Sequence, residues 1–145
     1  MLTVHDPVTV ANELRPALLL LNRQLKRELA PLGITAGQAA LLHTIRTTPG
    51  VGIRALAERE GMSKPAMTTA IDRLETARLV RRSRSERDGR CIELEVTDEG
   101  QRVLRSARSR RTAWLASRLQ RLEPEQLDAV AAAIPSLRRL LEVGG

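Results

Sequence analysis

Residues 53–100 read IRALAEREGMSKPAMTTAIDRLETARLVRRSRSERDGRCIELEVTDEG, and this stretch decides the fold. Its first segment, Ile53–Glu60, is a short amphipathic helix that ends at Gly61, a residue suited to the left-handed conformation found there. A second helix is predicted over residues 63–77, with Ser63 as its N-terminal cap. Two helices joined by a tight glycine-containing turn are the helix-turn-helix arrangement.

The second of these helices has two chemically different faces. One face is apolar and is predicted to meet a core; it holds Met67, Ala70, Ile71, Leu74 and Ala77. The other face is small, hydroxylated and basic; it holds Lys64, Pro65, Thr68, Thr69, Asp72, Arg73 and Thr76. Such a face can lie in a major groove, where threonine and arginine meet base edges and phosphates. The alternative is an ordinary amphipathic helix with a solvated face.

A β-hairpin is predicted directly after the second helix. Residues 80–85 and 91–96 have strand patterns, and the Asp88-Gly89 pair between them is a strong hairpin signal. The ten residues from Arg81 to Arg90 hold five arginines and two acids. A cationic loop beside a helix-turn-helix can reach the adjacent minor groove, where negative potential is concentrated. A solvated, charged hairpin is the alternative.

Leucine-rich helices flank this central part. Leucine and valine recur every three or four positions from Val8 to Leu32, which predicts one helix with a kink near Pro16 that ends at Pro31 and Gly33. Thr35 caps a short helix with Ala39, Leu42 and Ile45 facing inward. The stripe of the first helix fits either a core or a seam with a second chain.

Two more helices follow the hairpin. One starts at residues 97–99 and runs to about Leu122, and it carries a basic patch from Arg102 to Arg111 that is expected on a phosphate-facing or solvated side. The last helix opens at Pro124, and Pro135 is expected to bend it or end it early. The fold class is therefore mainly α with a small β-hairpin.

Composition excludes several classes of protein. The 145 residues carry 24 Lys+Arg against 17 Asp+Glu, a net charge of +7 that favours an anionic partner. One cysteine and two histidines exclude a disulfide framework and a cysteine-based zinc site, and they disfavour a catalytic or metal cluster. Without phenylalanine or tyrosine, stacking on single-stranded bases is disfavoured. We expect no cofactor and no catalysis, because the sequence has neither a glycine-rich phosphate loop nor a zincin motif. We expect no membrane partner and a cytoplasmic location, because no membrane-spanning segment and no signal-peptide pattern is visible.

The chain resembles the winged helix-turn-helix regulators of the MarR family in several specific segments. The segment LAEREGMSKPAMTTAIDRLETARLV, residues 56–80, matches the two-helix reading head and the exit into the wing. The segments RDGR, residues 87–90, and ELEVTDEG, residues 93–100, look like the wing tip, the second wing strand and the start of the long helix. The flanking helices also fit, so the likeness covers nearly the whole chain.

The resemblance implies a homodimeric transcriptional regulator, a repressor, that binds a pseudo-palindromic double-stranded operator. It implies three parts: a dimerisation helix over 1–32, a winged helix-turn-helix over 33–97 and C-terminal dimerisation helices over 98–145. The recognition helix is 63–77 and the wing 81–96. In the family's wing the arginine of an Asp-x-Arg motif enters the minor groove and the aspartate orients it. The residues that match DNA-contacting positions are Ser63, Lys64, Pro65, Thr68, Thr69, Arg73, Arg87, Asp88 and Arg90.

The family also suggests an effector, a small aromatic or anionic molecule bound between the dimer helices and the reading head. His43, Arg46 and Trp114 are the large polar or aromatic candidates for such a cleft, although a lone histidine or tryptophan is more often structural. Cys91 is expected to be an inert structural thiol, because it lies on a wing strand and the chain has no second cysteine. A DNA-binding protein that is indifferent to sequence is the alternative to a regulator.

Overall fold

The computed structural model describes residues 5–85, 89 and 91–142. Within this part of the chain the order is helix, three shorter helices, hairpin, long helix, helix. The elements are α1 (Pro7–Arg27), a 3₁₀ turn (Ala30–Leu32), α2 (Ala36–Thr47), α3 (Ile53–Glu60), α4 (Lys64–Thr76), β1 (Val80–Arg84), β2 (Ile92–Val96), α5 (Asp98–Leu119) and α6 (Pro124–Glu142). The predicted class, mainly α with a β-hairpin wing, is confirmed.

The helix starts follow local signals. Asp6 accepts the backbone N–H of Thr9 at 3.1 Å and caps α1. Thr35 and Gln38 exchange hydrogen bonds at 2.9 and 3.0 Å, which is a capping box at the start of α2. Thr97 accepts the N–H of Gly100 at 3.0 Å and caps α5. These caps explain why the predicted starts agree with the structure.

The helix ends depart from the predictions in three places. Helix α1 ends at Arg27, and the chain continues through Glu28 into the 3₁₀ turn that contains Pro31. Proline has no backbone N–H, so Pro31 cannot donate an α-helical hydrogen bond. Helix α5 stops at Leu119 rather than near Leu122. Of the two outcomes expected at Pro135, a bend or an early end, the early end is wrong, because α6 continues through Pro135 to Glu142. At that exposed site the free carbonyl of the preceding turn can bind water.

The core lies in the central part of the chain. Leu42 of α2, Leu56 of α3 and Ile71 of α4 are fully buried, as is Leu94 of β2. They join one cluster that also reaches α5 through Leu104 and Ala107. Helices α1 and α6 contribute no buried residue, and their leucine stripes stay open to solvent. The single chain therefore builds a complete core for its centre and none for its two ends.

The hairpin is a two-stranded antiparallel sheet. Val80 pairs with Val96 and Arg84 with Ile92. Leu94 N donates to the Val51 carbonyl at 2.9 Å, so β2 is also attached to the segment before α3. The hairpin is thus anchored on the core at its base.

A close crossing fixes the hairpin between α4 and α5. A Cβ atom on Gly100 would lie 2.3 Å from the Leu79 carbonyl oxygen and 2.6 Å from Cγ1 of Val96. The first turn of α5 therefore touches the backbone that leads into β1, and only glycine fits.

We expect Gly100→Ala to lower the free energy of unfolding by about 1–3 kcal/mol, because the added methyl group must displace backbone. Gly37→Ala in α2 is the matched control, since its Cβ would meet only Oγ1 of Thr35, at 3.8 Å. There the change is expected to stabilise by about 0.5–1 kcal/mol through helix propensity. Chemical denaturation followed by circular dichroism measures both. Equal effects of the two substitutions would contradict the crossing.

Candidate nucleic-acid interface

The turn between α3 and α4 sets the angle at which α4 leaves the core. Gly61 adopts φ 65°, and the N–H of Met62 donates to the Ala57 carbonyl at 2.9 Å. Oγ of Ser63 accepts the N–H of Ala66 at 3.2 Å and starts the next helix. Pro65 sits in the first turn, where no helical partner for an N–H exists. The predicted helix-turn-helix is confirmed.

Helix α4 divides cleanly into an inner and an outer face. Met67, Ile71 and Leu74 are completely buried and attach it to the core. The predicted outer residues Ser63, Lys64, Pro65, Thr69 and Arg73 are exposed, and Thr68 is half-buried. Five of the six predicted helix contacts are therefore accessible, and Thr68 is partly accessible.

The two threonine hydroxyls on this surface have fixed orientations. Oγ1 of Thr68 donates to the Lys64 carbonyl at 2.9 Å, and Oγ1 of Thr69 donates to the Pro65 carbonyl at 3.1 Å. Since their hydrogens point back at the helix, the oxygen lone pairs and the methyl groups remain for other contacts. An acceptor and a methyl group suit the amino groups and the thymine methyl of a major groove.

The wing arginines are less free than their number in the sequence suggests. Nε of Arg81 donates to Oε2 of Glu95 at 2.8 Å across the hairpin. Nη2 of Arg82 lies 2.7 Å from Oδ1 of Asp72, and its Nη1 pairs with Glu75. Arg84 is exposed and has no ion pair within the described part of the chain. The predicted contacts Arg87, Asp88 and Arg90 lie outside the described residues.

A cavity of about 610 Å³ lies between α2 and α5. It contains two of the three predicted effector residues, His43 and Arg46, whose Nδ1 and Nη2 atoms are 3.1 Å apart. Trp114 is not among the described residues that line it; this half-buried ring lies 5.3 Å from the Arg118 guanidinium instead.

Sequence reasoning missed three further residues of this cavity. Arg105, Arg108 and Arg111 of α5 line its wall. Their spacing of three would have placed them on neighbouring positions of one helical face. Arg105 and Arg108 are exposed, as expected for a solvated side of α5, and Arg111 is half-buried; all three also line the cavity beside α2. The described residues lining the cavity include no carboxylate, so it is strongly cationic.

Other kinds of site are not built by the described residues. No group of three histidine, cysteine, aspartate or glutamate side chains among them could hold a metal ion. No described helix is long and apolar enough to cross a membrane. Cys91 is exposed and lies directly before β2 rather than on the strand, and nothing in its position tests the prediction of an inert thiol.

Comparison with known proteins gives one consistent family. Residues 34–92 match the family model described as "MarR family". An HTH-type transcriptional regulator of Mycobacterium tuberculosis is 29% identical over 133 residues, covering 92% of this chain and 93% of that protein. The HTH-type transcriptional repressor MdtR of Bacillus subtilis is 29% identical, in an alignment that covers 76% of this chain and 71% of MdtR.

Solved structures share the fold over nearly the whole chain. A putative transcriptional regulator from Pseudomonas aeruginosa superposes with a TM-score of 0.83 and 27% identity, covering 98% of this chain and 100% of the other. A mutant of Staphylococcus aureus MepR, solved bound to an oligodeoxyribonucleotide, has a TM-score of 0.72 and 17% identity, with coverages of 90% and 96%. At that identity the second likeness concerns the fold alone.

Proposed function

The chain belongs to the MarR family of DNA-binding transcriptional regulators, and from this premise we propose that it reads its operator through the outer face of α4 and the wing. One observation carries the proposal: α4 is locked to the core by fully buried residues, while its small, hydroxylated and basic face is uncovered. A major groove admits a helix of this shape. The proposed contacts on α4 are Ser63, Lys64, Pro65, Thr68, Thr69 and Arg73.

In the wing we propose minor-groove contacts by Arg87 and Arg90, with Asp88 orienting Arg90. The support here is the family's Asp-x-Arg motif in the sequence and the anchored base of the hairpin. Exposed Arg84 adds positive charge on the same hairpin. Arginine suits a narrow minor groove because the negative potential is enhanced there.

We further propose that the regulator is a homodimer formed by α1, α5 and α6. The support is the open leucine stripes: Leu18 and Leu21 of α1 are 45% and 44% exposed, and Ile134 of α6 is 42% exposed. Contiguous apolar surface of this kind is typical of a protein–protein interface. The chain would thus divide into dimer-forming parts, 1–32 and 98–145, around a DNA-binding part, 33–97. A two-fold dimer reads half-sites about 34–36 Å apart on a pseudo-palindrome.

As the biological role we propose repression of transcription in the cytoplasm, without catalytic activity. The relative MdtR is named a repressor. A dimer seated on an operator can exclude polymerase from the same DNA.

The site-selection experiment separates a specific regulator from a DNA binder that is indifferent to sequence. Duplexes selected from a random pool are expected to converge on an inverted repeat, bound at least roughly 10³-fold more tightly than competitor DNA. Fluorescence anisotropy with selected and scrambled duplexes at one salt concentration measures the ratio. A ratio near one would support the sequence-indifferent alternative.

Arg73→Ala is expected to weaken binding to the selected duplex by about 1–3 kcal/mol, because it removes a groove or phosphate contact. Arg121→Ala is the control, since it removes the same charge from an exposed position in the turn between α5 and α6, outside α4, the wing and the three proposed dimer helices. Both are compared by anisotropy titration. Equal losses would mean that net charge, rather than the α4 face, governs the affinity.

The cationic cavity supports a proposed effector site. His43 and Arg46 of α2 face Arg105, Arg108 and Arg111 of α5 across about 610 Å³. Guanidinium groups bind carboxylates in a bidentate manner. We therefore propose that the effector is a small anion, aromatic or aliphatic, held between α2 and α5, and that Trp114 is not in contact with it.

Benzoate is expected to raise the thermal unfolding midpoint, whereas benzamide, its neutral counterpart, is not. Ligand at about 100 times its dissociation constant adds about 2.7 kcal/mol to stability. Arg108→Gln should abolish the shift, and Arg118→Gln, which alters a cation outside the cavity, should preserve it. Equal shifts from both compounds, or a shift that survives Arg108→Gln, would place the binding elsewhere.

A further inference from the structure

The guanidinium of Arg82 bridges two carboxylates of the DNA-reading helix. Arg82 lies on β1; its Nη2 is 2.7 Å from Oδ1 of Asp72, and its Nη1 pairs with Oε1 of Glu75. Its side chain is 23% exposed, against 59% for Asp72 and 42% for Glu75. The cation is thus the more enclosed partner, and it is enclosed between the helix and the wing.

Asp72 lies on the α4 face that is proposed to meet DNA, and exposed Glu75 lies three residues further along the same helix. Asp72 follows Thr68 and Thr69 by one helical turn on the outer face of α4. A carboxylate within a Debye length of about 8 Å of phosphates is repelled at physiological salt. Carboxylates on a groove-binding helix therefore oppose binding unless a cation neutralises them.

Arg82 is the cation that offsets this negative charge in the described structure, with one positive charge against two carboxylates. Among the described residues it is the only one that forms an ion pair with Asp72 or Glu75. The pKa of Arg82 is raised above its ordinary value, first by the hydrogen bond to Asp72 and further by both negative charges, although burial opposes this. The guanidinium consequently stays charged throughout the pH range in which proteins fold.

We propose that Arg82 is a positioning residue of the DNA interface that offsets part of the negative charge of Asp72 and Glu75 and holds the wing against α4. This rests on the proposed α4 surface. Arg82 itself is turned toward the protein and makes no contact with DNA. It differs in this from Arg84 of the same strand, which is exposed and forms no ion pair with any described residue.

A double-mutant cycle in DNA affinity tests the proposal. One arm is Arg82→Met, which keeps the aliphatic stem and removes the charge; the other is the pair Asp72→Asn with Glu75→Gln. Arg82→Met is expected to weaken binding about tenfold, because two carboxylates then face the phosphates without a counter-charge. Replacing both carboxylates in the otherwise unchanged protein should strengthen DNA binding only slightly.

The variant that combines the Arg82 and carboxylate substitutions completes the cycle and measures their coupling in DNA affinity. Removal of the carboxylates should improve the affinity of Arg82→Met several-fold more than it improves the affinity of the wild type. Equal improvement in both backgrounds would overturn the proposal, because it would reflect overall charge alone. Unchanged affinity in Arg82→Met would overturn it as well. The probe is a mixed-sequence duplex titrated at low salt, since phosphate repulsion does not depend on base sequence.

Circular dichroism melting of every variant keeps stability apart from affinity. Titrations are made well below each midpoint, where a purely stabilising contact has no effect on binding. If Arg82→Met does not fold, Arg82→Lys replaces it in the cycle, because a lysine ammonium cannot hold both carboxylates as a fork. A coupling of the same sign and smaller size is then expected, and zero coupling overturns the proposal. Absence of DNA binding by the wild type would instead refute the proposed interface.

Discussion

The carbonyl oxygen of Leu79 holds the structure together at the point where four elements meet. It accepts the N–H of Thr97 at 3.0 Å, and the backbone of Gly100 lies directly against it. Just before it, Arg78 turns the end of α4 with φ 64°, and Oγ1 of Thr97 donates to the Arg78 carbonyl at 2.6 Å. Because α4, both wing strands and α5 share this contact, the wing cannot tilt without disturbing the helix that precedes it.

Local chemistry made the central elements predictable. Gly61 and Ser63 mark the turn and the start of α4, and the alternation around Leu94 marks a half-buried strand. These signals act over three or four residues, so they are visible in the sequence. The left-handed Arg78 was not foreseen, because a non-glycine residue in that conformation is favoured by the tertiary contacts around it rather than by its own type.

The parts that could not be predicted depend on contacts between distant residues. Arg82 and Asp72 are ten positions apart, and only the packing of β1 on α4 brings them together. The same holds for Arg46 and Arg108, which meet at one cavity because α2 packs on α5. The net charge of +7 does not distinguish arginines that face solvent, arginines paired with carboxylates and arginines that line the cavity. Position, rather than number, decides what each arginine can bind.

Trp114 is the single aromatic side chain that absorbs strongly in the near ultraviolet, because the sequence contains no tyrosine or phenylalanine. Its half-buried ring lies 5.3 Å from the Arg118 guanidinium, one turn beyond the cavity-lining Arg111. Intrinsic fluorescence of this protein therefore reports on one position in the sequence only, in the C-terminal part of α5. A change in emission can be assigned to that helix without labels or further substitutions, and duplex DNA can be titrated in without a competing protein fluorophore.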